Sequence, residues 1–320
     1  KVKTDRVDAV ELARLLFVHE FQPTAMPKES LLNLKVLTRT RGQIVKQRSH
    51  FLNQLQGAIE QIAPLFPNVL NPGSLTALNL LTQLPTPGQW LEKENQSTIL
   101  TLVKTLSRHG QSYAQKTYAN LLACAEDAQV TGLSLGSYGI TVQQYATIIL
   151  ALDEQIKVLD KHIQIVSDTL PDIHLLLSIP GIGRTLAAII LGEIGDIGRF
   201  SRAKQLVAFS GIDPAVKQSG KFVGTRNKVT KRGSPFLRYA LYLAATTSIR
   251  KAVKKAQVNP VLYEYYQKKL ESKTKKQALG AIMNKLLRII YSVLKNQRPF
   301  QLISPQQQVQ MYKERLSKAA

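Results

Sequence analysis

The chain has 320 residues, 44% of them hydrophobic, with 43 basic against 21 acidic side chains and a formal net charge of +22. It leaves room for a sizeable core in two domains, or in one domain with a long helical insertion. A single cysteine, Cys124, excludes an intrachain disulfide, and the lack of any run of about 18 apolar residues excludes a membrane-crossing helix.

A charge excess of this size repels itself, and a polyanion relieves the repulsion. DNA or RNA is the leading partner through phosphate contacts, with an anionic membrane surface as the rival. Charge alone carries no base specificity, and a basic protein without chemistry, of ribosomal or chromatin type, fits it equally. Cys124 lies among Leu121, Leu122 and Ala125 and reads as a small core residue, and a chain with a single cysteine fits the intracellular compartment; a cytoplasmic, nucleoid-associated protein is expected. No signal peptide is read. Lys1 opens almost directly onto a helix-like stretch, so a preceding segment is expected.

Residues 4–20 read as a helix with Thr4 or Asp5 as cap and Leu12, Leu15 and Leu16 on its apolar side. The stretch 22–27 is a break. Residues 29–64 read as one long helix with Ile44, Phe51, Leu55, Ile59 and Ile62 in its seam, interrupted by Arg41 and Arg48. Prolines and glycines over 67–90 mark a turn-rich crossing with a short helix at 74–84, and 91–140 reads as short helices broken at Gly110 and TGLSLGSYG. Residues 142–167 carry a heptad: Tyr145, Ile149, Leu152, Ile156, Leu159 and Ile163. Such a seam needs a partner, either 29–64 folding back or the same helix of a second copy. An ordinary packed helix is the plainer reading. Pro171 ends it, and a domain boundary is expected near 168–174.

The stretch IPGIGRTLAAIILGEIGDIGRF has the form of a helix-hairpin-helix. Gly181 and Gly183 permit a tight turn, its unpaired amides suit a phosphate oxygen, and Arg184 and Thr185 stand ready to add contacts. A purely structural hairpin is the competing reading. A Walker A loop is excluded because its Gly-Lys-Ser/Thr ending is absent. A basic module follows, in which Ser201 caps a helix, Gly211, Asp213 and Pro214 turn, and Ser234 with Pro235 starts another helix. Residues 217–286 hold 17 basic residues and only two acidic ones, Glu264 and Glu271. Lys217, Lys221, Arg226, Lys228, Lys231, Arg232 and Arg238 are therefore the candidate phosphate contacts. Ser219, set in QSGK, reads as a turn residue on its own, because a serine hydroxyl is a weak nucleophile without an activating partner. Asp5 and Asp8 share one side of a helix, as either metal ligands or ordinary helix-start acids.

Taken in order, KTDRVDAVELARLL, SIPGIGRTLAAIILGEIGDIGRFSRAKQLVAFSGIDPAVKQSGKF and TKRGSPFLRYALYLAA resemble the DEDD transposases of bacterial insertion sequences, the bridge-RNA-guided recombinases; NPVLYEYYQKKL and IMNKLLRIIYSVLKNQRPF look like their closing helices. The resemblance implies a mainly α chain: at 1–28 the C-terminal remnant of an RNase-H-like (RuvC-like) α/β domain, at 29–170 long coiled-coil helices and a linker, at 171–300 a helical transposase domain with a helix-hairpin-helix, and at 301–320 a polar tail. It implies Asp5 and Asp8 as two of four acidic Mg²⁺ ligands, the others lying upstream, and Ser219 as a nucleophile that forms a phosphoserine link to DNA. DNA, a structured guide RNA and further copies of the chain are the implied partners. With half of the acidic cluster, the chain is expected to bind nucleic acid without recombining DNA unaided; a non-catalytic helix-hairpin-helix DNA-binding protein is the alternative.

Overall fold

The computed structural model describes residues 5–18, 27–133, 135–215, 218–219, 222–223, 229–250 and 257–303, with scattered positions of the tail up to 317. Helices run as α1 Asp5–Val18, α2 Glu29–Ile62, α3 Phe66–Val69, α4 Leu75–Gln83, α5 Pro87–Leu91, α6 Gln96–Ser107, α7 Gln111–Thr131 and α8 Gly136–Asp168. They continue as α9 Pro171–Leu177, α10 Arg184–Ile194, α11 Ala203–Ser210, α12 Pro235–Ser248, α13 Pro260–Leu270 and α14 Lys275–Asn296. Among the described residues the only strands are β1 Gln218–Ser219 and β2 Phe222–Val223, an antiparallel pair with Ser219 opposite Phe222.

The α/β remnant expected at the start of the chain is overturned. Its described residues form one helix and no strand. An RNase-H-like domain packs its helices on a sheet, whereas the described side chains of α1 are all exposed, Leu12, Leu16 and Phe17 included.

α2 and α8 lie side by side and antiparallel, so the partner of the heptad is the earlier long helix of the same chain. The two arginines that interrupt the α2 seam explain its pattern. Arg41 meets Asp160 (Nε–Oδ1 2.5 Å), and one heptad further on Arg48 meets Asp153, one heptad back. Arg48 also donates to the Gly73 carbonyl at 3.2 Å. The flaw in the apolar stripe is thus a pair of forked ion pairs that set register, a geometry guanidinium favours over ammonium.

Two cores form at the two ends of this helix pair. One gathers Leu55, Ile59 and Ile62 of α2 with Phe66, Leu78, Trp90, Ile99, Leu121, Cys124, Val142 and Ile149. Its Trp90 indole donates to the Leu84 carbonyl at 2.8 Å, which satisfies the one polar atom of the largest buried side chain. The other gathers Leu31 and Leu34 of α2 with Ile163 and residues of α9 to α14. Between Thr38 and Leu55 α2 buries no residue fully, a span of about 25 Å at the helical rise. Neither core follows a single cut in the sequence, because α2 supplies both. No helix among the described residues is long and apolar enough to cross a membrane.

Candidate nucleic-acid interface

α12 is the element at whose two ends several of the sequence-derived candidates lie. Ser234 caps it, accepting from the Leu237 amide at 3.3 Å, and Pro235 occupies its first turn, where the missing N–H costs nothing. Leu237, Ala240, Leu241, Ala244 and Ala245 are buried against α10 and α14.

At its C-terminal end sits the glycine turn. Gly181 has φ +103°, and a Cβ there would lie 2.2 Å from Ser248 Oγ and 3.0 Å from the Ser248 backbone. The Ser248 hydroxyl lies within hydrogen-bond reach of two carbonyls, Ala244 of its own helix at 2.8 Å and Pro180 of the turn at 3.0 Å. Ile182 is buried beside it. Gly183 and Arg184 are exposed, and Gly183 has open space where a Cβ would stand. The turn therefore has an inner glycine that packs and an outer glycine that faces solvent. α10 starts at Gly183 without a side-chain cap, so its first-turn amides have no partner within the helix. Arg184 reaches back to Asp168 (3.1 Å), with both side chains more than half exposed, and Thr185 is half-buried.

At the N-terminal end sits the Lys231-Arg232-Gly233 loop. Gly233 is pressed onto the end of α11, where an added Cβ would lie 1.9 Å from the Phe209 carbonyl oxygen. Lys231 adopts a left-handed φ of 56° and donates its amide to the Gly211 carbonyl at 3.0 Å. The side chains of Lys231 and Arg232 point to solvent. Arg238 is used differently: half-buried, it donates to the carbonyls of Gly233 (2.6 Å) and Ser210 (3.2 Å) and so holds the loop.

A short arm rises from the same junction. Its base is the Pro214–Val229 bridge, the Thr230 amide on the Asp213 carbonyl (3.0 Å) and the Thr230 hydroxyl on Asp213 Oδ1 (2.7 Å). β1 and β2 lie in this arm, and Ser219 is the last residue of β1 before the segment that joins them. The side chain of Ser219, and Lys217, Lys221, Arg226 and Lys228, lie outside the described residues.

The junction is anchored by a contact that sequence reading missed. Arg39 of α2 grips Glu193 of α10 with two hydrogen bonds (2.6 and 3.0 Å), and its guanidinium lies 5.1 Å from the Phe236 ring centre at the start of α12. Burial pushes the Glu193 carboxyl up. Hydrogen bonds from Arg39 and Ser234 and the charges of Arg39 and Lys35 outweigh it, leaving the carboxyl below its usual range. One signal was available: a lone carboxylate in the apolar run IILGEIG must find a partner.

Asp5 and Asp8 are exposed on α1, and no third His, Cys, Asp or Glu among the described residues joins them. Two carboxylates on one helix are half of the four-acid Mg²⁺ set that the resemblance implies.

The fold and the two loops flanking α12 define a helical protein, and its sequence matches transposases of insertion elements. The model described as the transposase IS116/IS110/IS902 family matches residues 173–267, which span the glycine turn, the arm and α12, and a second transposase model, of the DEDD type of IS110, matches residues 1–64. The chain belongs to the IS110/IS116 family of DEDD transposases. It is 25% identical to the 44.8 kDa protein of insertion element IS116 from Streptomyces clavuligerus, over 93% of this chain and 72% of that one. It is 27% identical to the 42 kDa protein of insertion element IS900 from Mycobacterium paratuberculosis, over 92% and 72%. A pilin gene-inverting protein of Moraxella bovis is 36% identical over 39% of this chain and 38% of its own length.

Proposed function

We propose that the chain is a nucleic-acid-binding component of an insertion-sequence transposase, and that α12 with the loops at its two ends lies along a DNA backbone. The observation that carries this is one of placement. The solvent-facing Gly183-Arg184 turn is seated at one end of α12 and the exposed Lys231-Arg232 pair at the other, in a stretch from Pro214 to Tyr263 that contains no carboxylate. The unpaired amides at the start of α10, with Thr185, suit a phosphate oxygen. Lys231 and Arg232 add positive charge, and Lys217, Lys221, Arg226 and Lys228 belong to the same acid-free stretch. Arg238 acts indirectly, by holding the loop. A structured guide RNA is a second polyanion for the same surface. A further copy of the chain is another partner in this reading.

In this reading the chain binds DNA without cutting it. The alternative, strand cleavage by Ser219, is favoured by one observation, that its backbone lies on the arm rising from the basic junction. The serine oxygen would attack phosphorus, a phosphoserine link would form, and the displaced sugar oxygen would leave with the proton the serine gives up.

Fluorescence anisotropy of the purified chain with a labelled duplex, across salt and with Mg²⁺ present, tests the proposal. The expected result is salt-dependent binding with no denaturant-resistant adduct. An adduct that Ser219→Ala abolishes would replace this reading with the cleaving one. No binding at low salt would reject both.

A further inference from the structure

The solvent face of α12 carries two large aromatic side chains that no part of the core uses. Tyr239 is 61% exposed and Tyr242 is 48% exposed. They are three residues apart, so they lie one turn from each other on the same side of the helix. Pro235 and Thr246 extend this exposed stripe, and Thr246 returns its hydroxyl to the Tyr242 carbonyl at 2.9 Å. Cations close the stripe at both ends: Lys231 and Arg232 before it and Arg250 after it, all exposed. No acidic residue occurs between Asp213 and Glu264, while 11 basic ones do.

An exposed aromatic pair on a neutral surface would have no preferred occupant. Here the surroundings repel cations and attract phosphates, and the rings have faces free for contact. Duplex DNA hides its base faces in the stack, so it can use the cations but not the rings. Unpaired nucleotides use both: backbone on the flanking cations, bases on the aromatic faces, with little sequence preference because every base has a π-face. We propose that Tyr239 and Tyr242 form a stacking platform for unpaired bases, so that the chain distinguishes a single strand, or a melted segment, from an intact duplex along the surface of α12. This rests on the nucleic-acid-binding reading above and adds a partner class to it.

The test compares a 12-nucleotide oligothymidylate, a 12-mer of abasic sugar-phosphate and a 12-base-pair duplex, all binding the full chain. Tyr239→Trp supplies the reporter, because the natural Trp90 is wholly buried in the other core. Oligothymidylate is expected to quench the added indole, and the abasic strand to leave its emission unchanged. Tyr239→Ala with Tyr242→Ala is expected to weaken oligothymidylate binding about tenfold and duplex binding less than twofold, with the paired Phe variant restoring it. Equal affinity of the Ala variant and the unsubstituted chain for oligothymidylate, with duplex binding intact, overturns the platform alone. Equal loss for strand and duplex overturns it too, since the effect is then not stacking. If the unsubstituted chain binds neither, the parent reading fails first.

Discussion

The Arg39–Glu193 pair offers a sharp test, because its two partners differ in burial. The Glu193 side chain is 1% exposed and that of Arg39 is 40% exposed. Arg39→Ala strips a buried carboxylate of its main counter-charge, and breaking a buried pair in this way costs about 3–5 kcal/mol. Glu193→Ala leaves a guanidinium that water reaches and that still has the Phe236 ring beside it, so the loss is nearer ~1–2 kcal/mol after solvent screening. The melting temperature of this end of the molecule should fall by roughly 6–15 °C in the first case and about 2–6 °C in the second. The pH dependence has a definite sign. In the native chain the carboxyl is held below its usual range, so its stabilisation is full above the unfolded value of about 4.3 and is lost as pH falls through the depressed native value. Without Arg39, burial lifts the carboxyl instead, so the variant's deficit is largest at neutral pH and shrinks on acidification toward pH 5. Scanning calorimetry at pH 7 and pH 5, with hydrogen exchange of α10 to assign the transition, reads both effects. If Glu193→Ala costs as much as Arg39→Ala, or the deficit of Arg39→Ala does not change between the two pH values, the burial asymmetry is not what governs this contact.

The two glycines of the turn should respond oppositely. Gly181→Ala drives a methyl into Ser248 at a positive φ and is expected to cost about 2 kcal/mol or more, whereas Gly183→Ala meets open space and should cost under ~1 kcal/mol in thermal melts. Lys231→Ala with Arg232→Ala should leave folding unchanged and reduce the slope of log affinity against log salt for duplex DNA by about 1.8, the share of two phosphates; an unchanged slope removes these side chains from the interface. Cys124 is buried and its thiol is pushed up to about 11, by burial first and then by the charge of Asp127. It should resist a thiol-specific disulfide reagent at pH 7 in the folded chain and react promptly in denaturant; fast reaction of the native chain would contradict the burial.

Local structure was readable because its signals are local. The Ser234-Pro235 start of α12, the stop before Pro171 and the heptad from Tyr145 to Ile163 each rest on chemistry within one or two turns of helix, and α12 begins and α8 ends close to where these residues put them, whereas α8 begins at Gly136, inside the stretch read as a break. The α/β reading at the start of the chain failed for a matching reason. The motif around Asp5 and Asp8 specifies a helix, whereas a sheet is a property of distant segments, and none pairs beside α1 among the described residues.

What the residues settled by themselves was charge, helix positions and the two-glycine form of the turn, since backbone freedom and side-chain polarity act within a few residues. Only tertiary packing decided the rest. It paired the α2 arginines with Asp153 and Asp160, gave Arg39 to Glu193 across 154 positions of sequence, seated Gly181 on Ser248, and set Arg238 on the carbonyls of Gly233 and Ser210. A long side chain has several partners within its reach, and which one it meets depends on where separate helices cross, so the same arginine can grip a phosphate or a carbonyl without any change in the letters around it.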